Sequence, residues 1–291
     1  VNLDPANDIV PYPVAIDVRE LVSLEGAARE CELGPNGALV YCLEYLENNL
    51  DWLQEQLGAL ADTYVLFDMP GQVELYTHHG AVRSLLHALQ KQNHRLTAVH
   101  LVDAHHCADA AKFISVLLVT LSTMVQLEVP QVNLLSKMDL IESYGELAFN
   151  LDFYTDVLDP ARLLPHLEED AQRGGRSEFA RKHLKLSAAI CELVQDFSLV
   201  GFGALCISDP ESVAEALRSI DKANGYVFGG LEGADASVFA CSAREMQWDD
   251  ERVGSLQERY MSEADLSELL PPKMLGRRLA QAEEQRVGPP T

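Results

Sequence analysis

Ser136, Lys137, Met138 and Asp139 follow directly on an apolar run at residues 129–135. A basic residue with an acid two places later, at the end of a buried strand, can hold a guanine base. The Lys137 aliphatic stem would cover the face of the base, and the Asp139 carboxylate would accept the two N–H groups that guanine offers and adenine lacks. Four-residue strings of this type also arise by chance, so other motifs in the right order decide the matter. Asp68-Met69-Pro70-Gly71-Gln72-Val73-Glu74 closes a second apolar run, at residues 64–67. There the Asp68 carboxylate could hold a water on Mg²⁺, and the Gly71 amide could approach a phosphate because no side chain blocks it. Gln72 and Glu74 are polar groups placed to orient water. Taken alone, this stretch is an ordinary Pro-Gly turn with an acidic first residue. Coupled to the Lys137/Asp139 loop, the functional reading is the better one.

Asp4 follows the apolar Val1 and Leu3 and precedes Pro5-Ala6-Asn7. From a strand end it could serve as a second acid on the metal side or orient an attacking water, and a turn or helix-cap role fits the residues equally well. Gly34-Pro35-Asn36-Gly37 is a tight turn by composition. It stands before a long amphipathic stretch, so it could also present Asn36 from a helix start. His78-His79 and His105-His106-Cys107 suggest metal only superficially, because adjacent side chains point apart on a helix or strand. Cys206-Ile207-Ser208 is the better candidate for a late loop touching the guanine carbonyl. Ser242-Ala243-Arg244 has similar chemistry but lies beyond the last credible strand and helix.

These loops need elements to position them. Short β-rich runs at 64–67, 98–102, 129–135 and 203–207 alternate with helical patterns at 38–61, 73–92, 109–127 and 210–223. That alternation predicts parallel βα units. Asp209-Pro210-Glu211-Ser212 reads as an N-cap with proline at the first helical position. Residues 140–197 interrupt the alternation with aromatic-rich helical turns, a polar hinge at 172–176 and a helix over 177–197, which together read as a helical insertion. The chain from Ser262 to Thr291 is charged, ends in Gly-Pro-Pro-Thr, and is expected to hold a short helix and a disordered tail.

Composition bounds the partners. A formal charge of −23 over 291 residues and a pI near 4.6 argue against nonspecific binding to nucleic acid or to anionic membrane. The six cysteines lack any C-x-x-C pair or metal-ligand spacing and read as reduced thiols. The apolar stretch at 113–119 is too short for a span, so a soluble, intracellular protein is expected. The chain opens on Val rather than Met, inside what looks like the end of a strand, as a fragment or an incomplete gene product would.

Together these pieces resemble the GPN-loop GTPases. The likeness is carried by Asn2-Leu3-Asp4-Pro5-Ala6-Asn7, Gly34-Pro35-Asn36, the Asp68-to-Glu74 loop, Asn133 through Leu140, and Asp221-Lys222-Ala223-Asn224-Gly225-Tyr226. It runs over residues 1–228 as one GTPase domain and is loose over 229–291. The resemblance implies an α/β, Rossmann-like P-loop NTPase fold of the dimeric GTPase class, with a parallel sheet, a helical insertion and Mg²⁺-dependent hydrolysis of GTP. Ser136, Lys137, Met138 and Asp139 would bind the base, with Gly71 at the nucleotide phosphate. Asp68 would act on Mg²⁺ through water, Asp4 would be the acid on the metal and water side, and Gln72 would join Asp4 and Asn36 in catalysis. Asn36, at the centre of the GPN loop, would reach across a dimer interface into the partner's site. The resemblance further implies homodimers, or heterodimers with paralogues, that act on RNA polymerase II and III subunits or assembly factors. The expected location is the cytoplasm with shuttling to the nucleus, and neither direct nucleic-acid nor membrane contact is expected.

One departure is large. The phosphate cradle G-x-x-x-x-G-K-[ST] is missing from these residues, in which no Gly is followed by Lys. The first strand, the P-loop and the first helix of such a fold are therefore absent, and their removal would expose several core side chains at about 2–5 kcal/mol each. These residues alone are thus expected to be unstable or nucleotide-free and inactive, the native product carrying an N-terminal extension. The alternative is a non-hydrolysing dimeric adaptor that keeps the fold and has lost the phosphate site. Retention of Asp4, Asn36, Asp68, Gln72, Lys137 and Asp139 favours the enzyme. An ATPase of the same class conflicts with the Lys137/Asp139 pair.

Overall fold

The structure, a computed structural model, describes residues 1–60, 63–145, 147–157, 159–173, 177–197 and 199–226, with backbone only at 170–173 and 177–182. The chain groups into two compact units. One comprises Val1–Leu96 with Ser122–Val129, the other Thr97–Leu121 with the chain from Pro130 onward.

The first unit is organised around the extended start of the chain. Asn2 bridges Asp17 on one side and Asp68 on the other, both in parallel sense. The Leu3 N–H donates to the Asp68 carbonyl at 2.8 Å, and the Asp68 N–H to the Val1 carbonyl at 2.9 Å. The expected strand at 64–67 is thus an extended segment joined to its neighbour by a single bridge at Asp68. The period-2 alternation survives, with Val65 and Phe67 packed inward and Leu66 73 % exposed.

Five helices follow in this unit: α1 (Leu24–Glu30), α2 (Pro35–Asn48), α3 (Leu50–Gly58), α4 (Glu74–Thr77) and α5 (Ala81–Lys91). The helix expected over 38–61 is two, because Asn49 turns its side-chain amide back onto the Tyr45 carbonyl at 2.7 Å and leaves helical geometry. The pattern at 73–92 likewise divides into α4 and α5. Leu46, Leu53, Leu57, Leu85 and Leu89 from these helices close on Leu3, Ile16 and Val18.

The second unit is a parallel sheet in the order β1 (Ala98–Asp103), β2 (Gln131–Ser136), β3 (Gly203–Ala204). The register pairs Asp103 with Ser136 and Leu135 with Ala204. The β1–β2 crossover runs through α6 (Ala110–Leu127), whose residues from Ser122 onward belong to the first unit. By length and composition α6 could cross a membrane, at mean hydropathy 1.7, so the apolar stretch is longer than residues 113–119 suggested. Phe113, Leu117 and Thr120 are fully buried, as in a helix packed against a sheet. The strand expected at 203–207 shortens to two residues, because the chain leaves the sheet after the Leu205 N–H has bonded to the Leu135 carbonyl at 2.7 Å.

Between β2 and β3 lie a 3₁₀ turn (Met138–Tyr144), α7 (Leu151–Asp156), a 3₁₀ turn (Pro160–Leu163), α8 (Leu164–Arg173) and α9 (Ser177–Phe197). Tyr154 of α7 meets Phe113 edge to face at 5.0 Å, tying these helices to the sheet. The chain then enters α10 (Pro210–Asn224), capped by the Asp209 carboxylate on the Glu211 N–H and ended by Gly225 at φ 70°. The region expected to diverge at 229–291, including Ser242-Ala243-Arg244, lies outside the described residues.

Candidate functional site

Most candidate residues stand at the carboxyl end of an extended segment or at a helix start, where open α/β folds place their ligands, and Gly71 and Gln72 lie in the loop between Asp68 and α4. Ser136 ends β2. Lys137 then takes the left-handed conformation, φ 61°, ψ 40°. For a residue with a long side chain this costs about 1–3 kcal/mol, and it turns the chain sharply out of the sheet. The fully buried Met138 anchors the turn, and its N–H reaches the Leu205 carbonyl at 3.4 Å. Asp139 follows in the first turn of the 3₁₀ segment, exposed, with no side-chain partner among the described residues. Its carboxylate is open to N–H donors from outside.

The Lys137 ammonium is held. Its Nζ lies 2.5 Å from Oδ2 of Asp103, the last residue of β1. Oδ1 of the same carboxylate accepts the His105 N–H at 3.0 Å and so caps the 3₁₀ turn Ala104–Ala108. Partial burial pushes the Asp103 carboxyl upward, but the Lys137 ammonium and the His105 N–H outweigh it and hold the group below the usual carboxylate range. Lys137 is raised in turn, first by its hydrogen bond to Asp103. The sequence reading missed Asp103, although an acid closing the run at 98–102 was the signal that singled out Asp68.

The late loop Cys206-Ile207-Ser208 lies beside this turn through the Leu205 backbone. Cys206 is buried, with its N–H on the Ser212 hydroxyl at 2.9 Å, while Ile207 is 76 % exposed.

In the other unit, Asp68 and Asp4 end neighbouring parallel segments. The Tyr12 hydroxyl donates to Oδ2 of Asp68 at 2.5 Å, and the Asn7 amide to the same oxygen at 3.2 Å. Burial together with this bond pushes the Tyr12 phenol up to about 12. Burial first, then the charges of Asp4 and Asp68, also raises Tyr76, whose hydroxyl donates to the Pro70 carbonyl at 2.5 Å.

Asp4 is fixed from behind. The fully buried Asn2 accepts the Asp4 N–H on its side-chain oxygen at 3.1 Å, and Oδ1 of Asp4 takes the Ala6 N–H at 2.9 Å. Arg19, paired with Asp17, reaches the Asn7 and Asp8 carbonyls at 2.8 and 3.1 Å and pins the loop. Gln72 donates to Glu74 at 3.0 Å, so the two expected water-orienting groups engage one another. A Cβ added at Gly71 would meet nothing within 4 Å. Gly34 is the N-cap of α2, Pro35 its first residue and Asn36 its second, exposed and without a side-chain partner among the described residues. Proline at the first helical position and glycine at the cap explain why the tripeptide both turns and starts a helix.

Comparison with known proteins gives these residues a family. A protein-family model described as "Conserved hypothetical ATP binding protein" matches residues 1–226. GPN-loop GTPase 2 of Danio rerio is 52 % identical, covering 90 % of this chain and 82 % of the relative. The GPN-loop GTPase 2 homologue of Dictyostelium discoideum is 46 % identical over 89 % of this chain and 80 % of its own. GPN-loop GTPase 2 of Saccharomyces cerevisiae is 42 % identical over 84 % and 71 %. Among solved structures, a GTPase from Pyrococcus abyssi in its apo form superposes with a TM-score of 0.57 at 23 % identity, over 78 % of this chain and 85 % of that one. This last likeness establishes the fold, an α/β architecture with a parallel sheet. The extent and identity of the sequence matches establish the rest: the chain belongs to the GPN-loop GTPase family.

Proposed function

We propose that this protein binds GTP with Mg²⁺ and hydrolyses it. The observation that carries the reading is the exposed Asp139 carboxylate, without a partner among the described residues and two residues from a Lys137 stem pinned at both ends. A carboxylate can only accept, so it selects a base that presents adjacent N–H donors, as guanine does and adenine does not.

The acids of the first unit suit the metal. Asp4 and Asp68 offer hard oxygen donors, and among the described residues no group of three or more ligating side chains forms a closed cage. Mg²⁺ is commonly taken by one or two carboxylates and completed by substrate phosphates and water. When bound, it would neutralise charge developing on the transferring phosphoryl group. Asp68, oriented by Tyr12 and Asn7, would hold it through water, and Asp4 would stand on the metal and water side. The Gly71 amide would donate to a phosphate oxygen, and Gln72 would orient the attacking water. Asn36, projecting from the start of α2, would stabilise the phosphate in a second subunit's site.

The wider role follows from family resemblance. It comprises homodimers or heterodimers with paralogous GPN-loop GTPases, acting in assembly and nuclear import of RNA polymerases II and III, from the cytoplasm with shuttling to the nucleus. Phosphate release from GTP by the full-length protein, with and without Mg²⁺, tests the enzymatic core. Mg²⁺-dependent turnover that Asp68→Ala abolishes is the expected result. GTP binding without phosphate release would support the non-hydrolysing adaptor, and no guanine-nucleotide binding would overturn both.

A further inference from the structure

We infer that Asp103 is a positioning residue for guanine selection, holding the Lys137 ammonium so that the Lys137 stem stays in place and the Asp139 carboxylate stays open. The inference rests on the guanine-binding reading of the Lys137/Asp139 loop and adds to it a residue from a different strand.

The geometry leaves little else for this ion pair to do. Lys137 and Asp103 are more than a quarter exposed at their side chains, and such pairs contribute little to stability. What the pair does is fix the long axis of a flexible side chain. The left-handed backbone at Lys137 sets one end of the stem, and Oδ2 of Asp103 sets the other, 2.5 Å from Nζ. Asp103 is itself immobilised. Its other oxygen caps the turn at His105, and the His105 ring stands 3.5 Å from that oxygen while packing edge-on against Tyr144. The register that places Asp103 opposite Ser136 delivers the carboxylate to the start of the loop.

Lys137 and Asp139 are two residues apart, exposed and oppositely charged. An unrestrained Lys137 ammonium has a long reach and a carboxylate close by. If it turned to Asp139 it would occupy the acceptor that reads the base and uncover the face that the stem should pack on. Asp103 offers the ammonium a partner on the far side of the stem. Asp139 is accordingly without a partner among the described residues.

The test compares GDP with IDP, whose base lacks the 2-amino donor, by calorimetry on the full chain carrying Asp103→Asn. This substitution keeps an acceptor for the His105 N–H and replaces the charged oxygen that holds Lys137 by an amide nitrogen, which cannot accept. The wild type should prefer GDP by about 10- to 100-fold, the value of one hydrogen bond to a charged acceptor. Asp103→Asn should lower the preference by about two- to fivefold, the reach of an exposed ion pair, because the freed ammonium competes for Asp139. In a Lys137→Met background, which retains an apolar stem without the ammonium, Asp103→Asn should have no further effect. A separate readout needs no nucleotide: in ¹⁵N-lysine NMR the Lys137 ammonium should resist deprotonation more in the wild type than in Asp103→Asn. An equal Lys137 titration in the two proteins, an unchanged GDP/IDP ratio, or a loss of equal size in the Lys137→Met background would overturn the assignment. A wild type that ignores the 2-amino group would instead refute the guanine reading itself.

Discussion

Replacing Gly71 by Ala should separate folding from chemistry. A methyl group at this position meets no heavy atom within 4 Å beyond its chain neighbours, and Gly71 is not among the positive-φ residues. The added Cβ therefore brings no clash and no backbone strain. By restricting the unfolded chain it should stabilise the protein by about 0.4–1 kcal/mol, which for a chain of this length is a rise of about 1–4 °C in Tm. The chemistry should move the opposite way. The open space beside Gly71 is what its amide needs to reach a phosphate oxygen. A hydrogen bond to a charged group is worth about 1.5–3 kcal/mol, and losing it slows turnover by about 10- to 150-fold. Calorimetric melting and single-turnover phosphate release, on wild type and variant at saturating Mg²⁺, measure the two effects separately. A lowered Tm would show that the surroundings of Gly71 are not open. An unchanged turnover would show that its amide is no phosphate contact.

Asn36→Ala removes an exposed side chain without a partner among the described residues, so Tm and GTP affinity should hold, while turnover falls by about 10²–10³ if Asn36 stabilises the transition state in a second subunit. Equal turnover in the purified variant would refute that role. Asp139→Asn should weaken GTP binding by 10-fold or more, on the order of one charged hydrogen bond, and improve binding of XTP, whose 2-carbonyl accepts from the new amide. Parallel titrations with both nucleotides check it. Burial pushes the Cys107 thiol up to about 12 from its ordinary 9, favouring the neutral form in the fold. That contribution to stability is complete below pH 9 and is lost as pH rises toward 12. A thiol reagent at pH 8 should therefore modify the exposed Cys31 in the native protein and Cys107 only after unfolding, as peptide mapping would show.

Much of the scaffold was legible because it is local. Asp209-Pro210 announced α10, and the runs at 98–102 and 129–135 became β1 and β2 with their ends moved by a residue or two. Gly34-Pro35 signalled both a turn and a helix start. What escaped depends on contacts distant in sequence. The break at Asn49 comes from one side chain choosing a carbonyl of the preceding turn, which helical periodicity does not reveal. The segment at 64–67 has the composition of a strand, but a strand also needs a partner, and among the described residues it meets the segment at 1–3 through one bridge and the backbone bonds around it. Tyr12 meets Asp68 across 56 residues, and Lys137 meets Asp103 across 34. The site's reactive groups were readable as residue types, whereas the groups that aim them were set by register and loop packing.

Competition between guanine and adenine nucleotides bears most directly on the central claim, the more so because the matching family is described by ATP binding and the curated relatives as GTPases. Fluorescent GDP bound to the full chain with Mg²⁺ should be displaced by GTP at concentrations at least about 100-fold lower than by ATP, since adenine leaves the Asp139 carboxylate without its donors. Displacement by ATP at equal or lower concentration would contradict the account.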